Sequence, residues 1–203
     1  GVISELIEVA EPYRVAVETY LGANIQNVVT ESGAAAKAAV AYLKEHDLGR
    51  ATFLPLDLLQ VREPADISAA LSIKGVYGLL ADQVECEKKI RPAVNFLLNG
   101  AVLAENMTVA LAAAKALRYR LSVVTLDGDM VNPGASISGG SRNKKSGGFL
   151  DKKVQLAEAK EQLARLEKDL AKRETVLREL RTEISAKNEA HAAAREQLRG
   201  LNR

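Results

Sequence analysis

A heptad pattern of apolar residues occupies the end of the sequence. From Leu156 onward, alternating steps of three and four residues reach fourteen positions, and eleven of them are apolar. These positions are Leu156, Ala159, Leu163, Leu166, Leu170, Arg173, Leu177, Leu180, Ile184, Lys187, His191, Ala194, Leu198 and Leu201. No proline follows Pro133, and no glycine lies between Gly148 and Gly200. Such a sustained stripe predicts a coiled-coil arm over residues 150–203, about 75 Å long at about 1.5 Å per residue.

A coiled-coil helix needs a partner, because one strand cannot bury its apolar stripe alone. The sequence opens at Gly1 and Val2 with apolar residues already at helical spacing. We therefore expect the partner to be an antiparallel helix that enters the domain just before Gly1. The chain is predicted to join this arm to a globular body formed by residues 1–149.

Within residues 1–149, helical patterns alternate with strand patterns, which predicts a mixed body of the α+β or α/β class. Two short helices are expected over residues 2–21, divided at Pro12 and ended by Gly22. Further elements follow: a strand at 25–29, an Ala-rich helix from 31 to about 46, and a strand at 51–54.

The same order of patterns returns later in the body. Residues 93–100 echo residues 16–22, and the elements after them match in kind. They are a strand at 102–104, an Ala-rich helix at 108–117 and a strand at 121–125. We interpret this as two similar small helix–sheet lobes, approximately 1–60 and 76–148, with crossover connections between their strands. The connection between the lobes is expected at 60–78. A chance likeness between two α/β segments is the alternative.

Composition disfavours several classes of protein. Aromatic residues make up only 4% of the chain, which disfavours a protein that binds bases or sugars by stacking aromatic side chains on them. The net charge of +2 indicates no overall field for nucleic acid. The single cysteine, Cys86, excludes an intramolecular disulfide and is expected to be a buried, inert thiol in a reducing compartment. No apolar run reaches the roughly eighteen residues of a membrane span. We expect a cytoplasmic protein with no membrane partner.

One glycine-rich run differs by a single residue from a phosphate-binding P-loop. Residues 134–141 have the glycine spacing and the final serine, but Gly140 stands where the motif requires lysine. Asp127 and Asp129 flank Gly128, a pattern that is more typical of a hairpin turn than of a metal site. We predict no enzymatic activity and no cofactor. A phosphate- or nucleotide-binding α/β domain with a coiled-coil oligomeriser stays open as the alternative.

Glycines are concentrated between the last predicted strand of the body and the arm. Six of them fall between positions 128 and 148. Glycine in a strand costs about 0.5–1 kcal/mol relative to alanine, so the adjacent Gly139 and Gly140 suggest that another backbone comes close. An open edge with small residues invites pairing with a second chain. A flexible loop between body and arm is the alternative.

Basic residues follow this glycine-rich run. Five of them lie within twelve positions, namely Arg142, Lys144, Lys145, Lys152 and Lys153. This cluster of positive charge predicts a binding site for a phosphate backbone at the base of the arm. With no groove-reading motif nearby, such binding would be weak, salt-sensitive and indifferent to sequence. A solvated linker is the alternative.

Several motifs taken together resemble the hinge of structural maintenance of chromosomes (SMC) proteins, and specifically a bacterial member. They are residues 5–9 (ELIEV), 16–18 and 21–22 (AVE, LG), 26–29 (QNVV), 49–56 (GRATFLPL), 124–129 (VTLDGD), 132–134 (NPG) and 138–141 (SGGS). One departure is Ala135, where many members carry a second glycine after Pro-Gly. The related zinc hook at the tip of long coils needs a C-x-x-C pair, which the lone Cys86 cannot supply.

The resemblance implies a homodimerisation hinge that joins two coiled-coil arms. Two hinges would meet sheet edge to sheet edge through two symmetry-related contacts, giving a ring-like dimer with a central opening. The interface residues that we assign on this basis are Gly134, Ser136, Ser138, Gly139 and Gly140. The full-length protein would fold back so that its coil strands reach an ATP-binding head, none of whose nucleotide motifs occurs in this sequence.

The resemblance also gives the basic residues a role. It implies that Arg142, Lys144, Lys145, Lys152 and Lys153 contribute weak, sequence-independent DNA binding in a protein of chromosome condensation and segregation. A nucleoid-associated location follows from that role. Accessory subunits of the SMC complex would bind through regions outside this sequence.

Overall fold

The structure is a computed structural model of the chain that describes residues 1–61, 63–140 and 148–201, with side chains described as far as Arg195. The α-helices in these residues are α1 (Ile3–Leu6), α2 (Glu11–Leu21), α3 (Gly33–Glu45), α4 (Ser68–Leu71), α5 (Arg91–Leu98), α6 (Met107–Ala116) and α7 (Phe149–Leu201). The β-strands are β1 (Ile7–Val9), β2 (Val28–Thr30), β3 (Phe53–Pro55), β4 (Val76–Leu79), β5 (Val84–Cys86), β6 (Ala101–Ala104), β7 (Ser122–Thr125), β8 (Met130–Val131) and β9 (Ile137–Ser138). Two 3-10 turns cover Gly22–Gln26 and Leu80–Gln83.

The chain divides into two compact units, Gly1–Lys153 and Val154–Arg203. The described residues of the second unit, 154–201, belong to α7, which runs for 53 residues. Its apolar stripe is exposed, as Leu166 at 68% shows. This confirms the predicted long C-terminal helix. Among the described residues, no helix has both the length and the apolar character needed to cross a membrane.

The predicted repeat is visible in the order of elements. Helix α2 precedes the unit β2–α3–β3, and helix α5 precedes the unit β6–α6–β7. In each unit the two strands pair in parallel, as expected when a helix forms the crossover. Each crossover helix also has the same kind of cap. Ser32 Oγ accepts the N–H of Ala35 at 3.2 Å, and Asn106 Oδ1 accepts the N–H of Val109 at 3.1 Å.

The largest sheet has five strands in the order β4-β6-β7-β8-β9. Every residue of β6 and β7 is buried, because helices and loops cover both faces of the sheet there. Strands β4 and β9 form its two edges. The remaining strands make two small sheets, β1 antiparallel to β5 and β2 parallel to β3.

The two repeats share a core. One apolar cluster combines Val17 of α2 with Val94 of α5, and it continues to Leu103 and Val124 on one face of the large sheet. A second cluster lies on the other face, where Val102 and Val123 meet the alanines of α6. The expectation that each lobe packs its own helices on its own sheet is therefore too simple. The first cluster binds both lobes into one body.

Two stretches of the predicted secondary structure are wrong. Residues 7–9, expected in a helix, form β1, because they pair with β5 in the register Ile7 to Cys86 and Val9 to Val84. Residues 76–78, expected in the connection, belong to β4 (Val76–Leu79) at the edge of the large sheet. Both strands are only three or four residues long, so their pairing with remote strands decides their conformation.

Candidate assembly edge and arm junction

A tight turn joins β8 to β9. The N–H of Ala135 donates to the carbonyl of Asn132 at 3.0 Å, and Gly134 has φ of 81°. Pro133 and Gly134 fill the two central positions, as a type II turn requires. Residues 132–135 thus form the turn of the β8–β9 hairpin. Ala135 itself lies at φ 72°, in the left-handed region that disfavours a side chain.

Strand β9 is an exposed edge. It pairs on one side with β8, in the register Val131 to Ile137 and Met130 to Ser138. The N–H of Asn132 donates to the carbonyl of Ser136 at 2.7 Å. Because hydrogen-bonded and non-hydrogen-bonded pairs alternate in an antiparallel ladder, the polar backbone groups of Ile137 face away from β8. The side chain of Ile137 is 57% exposed.

The five residues assigned to the interface all lie on this hairpin. Gly134 is in the turn, Ser136 leads into β9, Ser138 is in β9, and Gly139 and Gly140 follow it. All five are exposed. Within the chain, Ser138 Oγ accepts a hydrogen bond from Asn132 Nδ2 at 3.0 Å.

Gly139 has a reason to be glycine within its own chain. A Cβ at this position would overlap the carboxylate of Asp129, which accepts the N–H of Gly140 at 3.1 Å. Asp129 is held in turn, because its own N–H donates to Thr125 Oγ1 at 3.0 Å. The sequence reasoning connected the glycines only with a partner's backbone and missed Asp129. The available signal was the Asp-Gly-Asp turn that precedes β8.

The geometry does not suit the chemical alternatives raised by the sequence. Residues 134–140 form a turn and an edge strand, so they do not wrap a phosphate before a helix as a P-loop does. The conformation of these residues therefore adds to the missing lysine as an argument against a P-loop. The Asp-Gly-Asp segment is the β7–β8 turn, closed by the N–H of Gly128 on the carbonyl of Thr125 at 3.0 Å. In the part of the chain that the structure describes, no cluster of three or more metal-binding side chains occurs.

Cys86 is half-buried at the end of β5. Burial raises the pKa of its thiol, and this effect outweighs the nearby Arg91 guanidinium, which lowers it. A raised pKa keeps the thiol protonated near neutral pH, which agrees with an unreactive cysteine.

The start of α7 is anchored in the body. Leu150 is 4% exposed and belongs to the core cluster that both repeats share. Its N–H donates to Glu18 Oε1 of α2 at 2.6 Å. Gly148 lies so close to the same carboxylate that a Cβ there would overlap it. An ion pair of 3.3 Å between Arg14 and Asp151 adds a third contact with α2.

Of the five basic residues assigned to DNA, the structure describes two. Arg142, Lys144 and Lys145 lie outside the described residues. Lys152 is exposed. Lys153 is partly buried, and its ammonium donates to the carbonyls of Glu5 at 2.8 Å and Ile7 at 3.0 Å. Lys153 therefore has a structural role that the sequence reasoning missed.

Comparison with known proteins agrees with the resemblance noted from the motifs. Residues 1–114 match the model of the SMC proteins Flexible Hinge Domain. The chain is 41% identical over 161 residues to the chromosome partition protein Smc of Desulfitobacterium hafniense, covering 79% of this chain and 13% of that protein. The same protein of Bacillus subtilis is 36% identical over 160 residues, covering 78% of this chain and 14% of the relative. The chain thus spans less than one sixth of the length of these relatives.

Solved hinge structures have the same fold. An asymmetric dimer of the Geobacillus stearothermophilus SMC hinge domain superposes with a TM-score of 0.71 at 35% identity, covering 85% of this chain and 69% of that chain. The Pyrococcus furiosus Smc hinge domain with an extended coiled coil gives a TM-score of 0.57 at 31% identity, covering 91% of this chain and 68% of that one. With the family model matching more than half of its residues, and with bacterial Smc proteins among its relatives, the chain belongs to the SMC hinge family.

Proposed function

We propose that this chain is a homodimerisation hinge that joins two copies through β9. The observation that carries the proposal is the unpaired side of β9. This strand ends the large sheet, exposes Ile137, and turns the polar backbone groups of that residue outward. A strand edge of this kind can form backbone hydrogen bonds with another strand edge. Little conformational entropy is lost in doing so, because its backbone is already extended.

The first repeat offers the complementary edge. In the second repeat, β8 and β9 lie beyond β7, and α6 buries three alanines. In the first repeat, β3 corresponds to β7, but its sheet has no strand beyond β3 among the described residues, and α3 has no buried residue. The opposite side of that sheet is occupied, because Gly1 exchanges backbone hydrogen bonds with Val29 of β2.

These two edges fit one arrangement. A β9 strand from a second copy beside β3 would extend the first repeat's sheet, as β8 extends that of the second repeat. Two apolar side chains of the first repeat are exposed, Tyr42 of α3 at 55% and Leu58 at 64%. A second copy bound beside β3 would bury part of their surface. A twofold axis makes the contact twice and closes the assembly. The hinge structure from Geobacillus stearothermophilus, described as an asymmetric dimer, supports self-association.

Disulfide trapping on the full chain tests this arrangement. Thr52 is exposed and directly precedes β3. In a Cys86→Ser background, a chain with both Ser138→Cys and Thr52→Cys should form covalent dimers under mild oxidation, because pairing of β9 with β3 would bring the two Cα atoms within disulfide range. A mixture of the two single variants should also cross-link, whereas each single variant alone should not. Cross-linking of Ser138→Cys alone would contradict the β9–β3 pairing, and so would a failure of the mixture.

Sedimentation of the full chain tests the edge itself. Ile137→Lys should shift the mass from two chains toward one, because it places a charge on the edge where the ladder must form. Leu111→Lys is the matched control, since Leu111 is also an exposed aliphatic residue (39%) but lies on α6. Equal masses for the two variants would contradict the proposal.

We also propose that the basic residues near the arm's base bind DNA weakly and without sequence preference, within a chromosome partition protein. The support is their spacing in the sequence and the exposure of Lys152. Lys153 contributes charge there while its ammonium holds Glu5 and Ile7. ATP hydrolysis, accessory subunits and association with the nucleoid belong, in this proposal, to the longer protein.

A further inference from the structure

The large sheet has a second edge, β4, that raises a problem for any protein assembling through β9. If β4 were open, β9 of one copy could pair with β4 of the next copy. Such a head-to-tail contact joins two different surfaces, so it continues into open chains unless the rotation happens to close. A hinge that must form closed pairs therefore needs β4 to be protected.

One side chain covers the outer side of β4. Nε2 of Gln83 lies 3.4 Å from the carbonyl oxygen of Tyr77 and 3.5 Å from that of Leu79. The same nitrogen is 3.9 Å from where a Cβ of Gly78 would stand. The amide is thus placed over the middle of the edge and donates to carbonyls that an added strand would need.

The backbone of β4 is also irregular. Its register with β6 shifts between Val76 and Gly78, and Gly78 has φ of 115°. The N–H of Val76 is engaged within the chain, donating to the carbonyl of Ile73 at 3.2 Å. A bulge disrupts the even spacing of ladder groups and twists an edge away from a partner.

Gln83 is held in position by its own turn. Leu80 and Ala81 in that turn are buried, at 0% and 2% exposure. Nη1 of Arg91 donates to the carbonyls of Ala81 at 3.2 Å and Val84 at 2.9 Å, on either side of Gln83. These contacts fix the backbone of the turn that carries Gln83, and so they hold its side-chain amide beside β4.

Strand β1 is protected in the same manner. Its carbonyl at Val9 accepts Nε of Arg14 at 3.1 Å, and its carbonyl at Ile7 accepts the ammonium of Lys153 at 3.0 Å. Strand β9 differs, because among the described residues no side chain donates to the carbonyl of Ile137. Side-chain protection is thus present on β4 and β1, and among the described residues it is absent from β9. On the free side of β3, Pro55 has no N–H and its carbonyl accepts the N–H groups of Leu58 and Leu59, so the pairing with β9 would have to form at Phe53.

We propose that Gln83 determines the specificity of self-association, closing β4 so that β9 can pair only with the first repeat of a second copy. The inference rests on the proposed dimerisation through β9. It assigns to Gln83 a role in restricting the assembly to two chains. The residue does not need to touch the partner in order to have this effect.

Sedimentation of the full chain over a range of concentrations tests the role of Gln83. Gln83→Ala and Gln83→Ser, whose side chains cannot reach both carbonyls, should give masses above two chains that rise with concentration. Gln83→Glu should stay at two chains, because a charge on the edge also prevents pairing. Gln83→Ala combined with Ile137→Lys should lose the larger species, since β9 is needed to form them.

The outcomes separate the two proposals. If the unmodified chain is a single chain at all concentrations, the proposed dimerisation fails. If the unmodified chain pairs and both Gln83→Ala and Gln83→Ser still stop at two chains, the role of Gln83 is overturned. Larger species that persist in the Gln83→Ala, Ile137→Lys double variant would also overturn it, because they would not depend on β9.

Discussion

The carboxylate of Glu18 in α2 accepts the N–H of Leu150 at 2.6 Å and so caps the first turn of α7. The first N–H groups of a helix have no partner within it, and an acidic group there also interacts favourably with the helix dipole. The long helix therefore begins at a position that the body sets.

Glu18→Ala should lower the free energy of unfolding by about 0.5–2 kcal/mol, which is the range for loss of a helix cap. Glu18→Gln is the matched control. The glutamine keeps an oxygen that can accept the Leu150 N–H, so this variant should lose less of its free energy of unfolding than Glu18→Ala. Urea denaturation gives the free energies, and hydrogen exchange at the Leu150 amide reports the cap directly. Equal losses for the two variants would show that the accepted hydrogen bond does not matter.

Leu150→Ala should lower the free energy of unfolding by about 2–5 kcal/mol, because it leaves a cavity where a nearly buried side chain packs in the shared core. The neighbouring Phe149 is 51% exposed, so Phe149→Ala should change stability by only about 0.5 kcal/mol or less. Thermal and urea unfolding of both variants provide the comparison. A similar cost at both positions would contradict the anchoring of α7 through Leu150.

Gly139→Ala should destabilise the body by displacing the carboxylate of Asp129. Combining it with Asp129→Ala should remove most of this cost, giving a coupling energy of about 1–2 kcal/mol, within the usual range for residues in contact. Gly140→Ala is the control. Its loss of stability comes from the backbone conformation at φ of 141°, which disfavours a side chain, so the loss should remain when Asp129 is replaced. Additive effects of Gly139→Ala and Asp129→Ala would count against the close approach.

Ala135→Gly should leave the protein as stable or raise its stability by up to about 1 kcal/mol. Ala135 lies at φ 72°, where a Cβ costs about 1–2 kcal/mol. The gain is partly offset because glycine has more freedom in the unfolded chain, worth about 0.4–1 kcal/mol. Urea denaturation measures the difference. A clear loss would mean that the methyl group of Ala135 makes a stabilising contact.

DNA affinity should fall steeply with salt, and replacing basic residues near the arm's base by Gln should make the fall shallower. For every phosphate that is no longer neutralised by a basic side chain, the slope of log affinity against log salt should decrease by about 0.9. The test replaces Arg142, Lys144, Lys145 and Lys152. The control replaces four lysines elsewhere on the body, namely Lys37, Lys44, Lys74 and Lys115. Fluorescence titrations at several salt concentrations should show an unchanged slope for the control.

Lys153 needs a separate test because it has a structural role. Lys153→Gln should lower both DNA affinity and stability, since the shorter amide cannot hold the carbonyls of Glu5 and Ile7 together. Unfolding and DNA titration on the same sample separate these effects. An unchanged free energy of unfolding would show that its two hydrogen bonds contribute nothing.

Elements with strong local signals were predictable from the sequence. Helices α3 and α6 begin just after a capping Ser32 and Asn106, and both contain runs of alanine. The turn at residues 132–134 follows from the conformations that proline and glycine favour. In these places the chemistry of neighbouring residues is enough to decide the backbone.

Features that depend on remote contacts could not be predicted in this way. Strand β1 exists because β5 lies beside it, and its apolar spacing alone fitted a helix equally well. The roles of Glu18 and Lys153 arise because folding brings each of them to a backbone group far away in the chain. Gln83 reaches carbonyls only four and six residues before it, but only because the β4 edge and the turn after it adopt their folded arrangement. None of these residues belongs to a motif that marks such a contact.

The core that the two repeats share determines which contact of the proposed dimer would break first under a pulling force. Separating the repeats would expose a continuous set of aliphatic side chains, each worth about 1.5–3 kcal/mol when fully buried. The contact through β9 involves a strand of only two residues. In the proposed dimer we therefore expect the seam between the copies to be the weaker one, so that it would part while each copy stays folded and able to pair again.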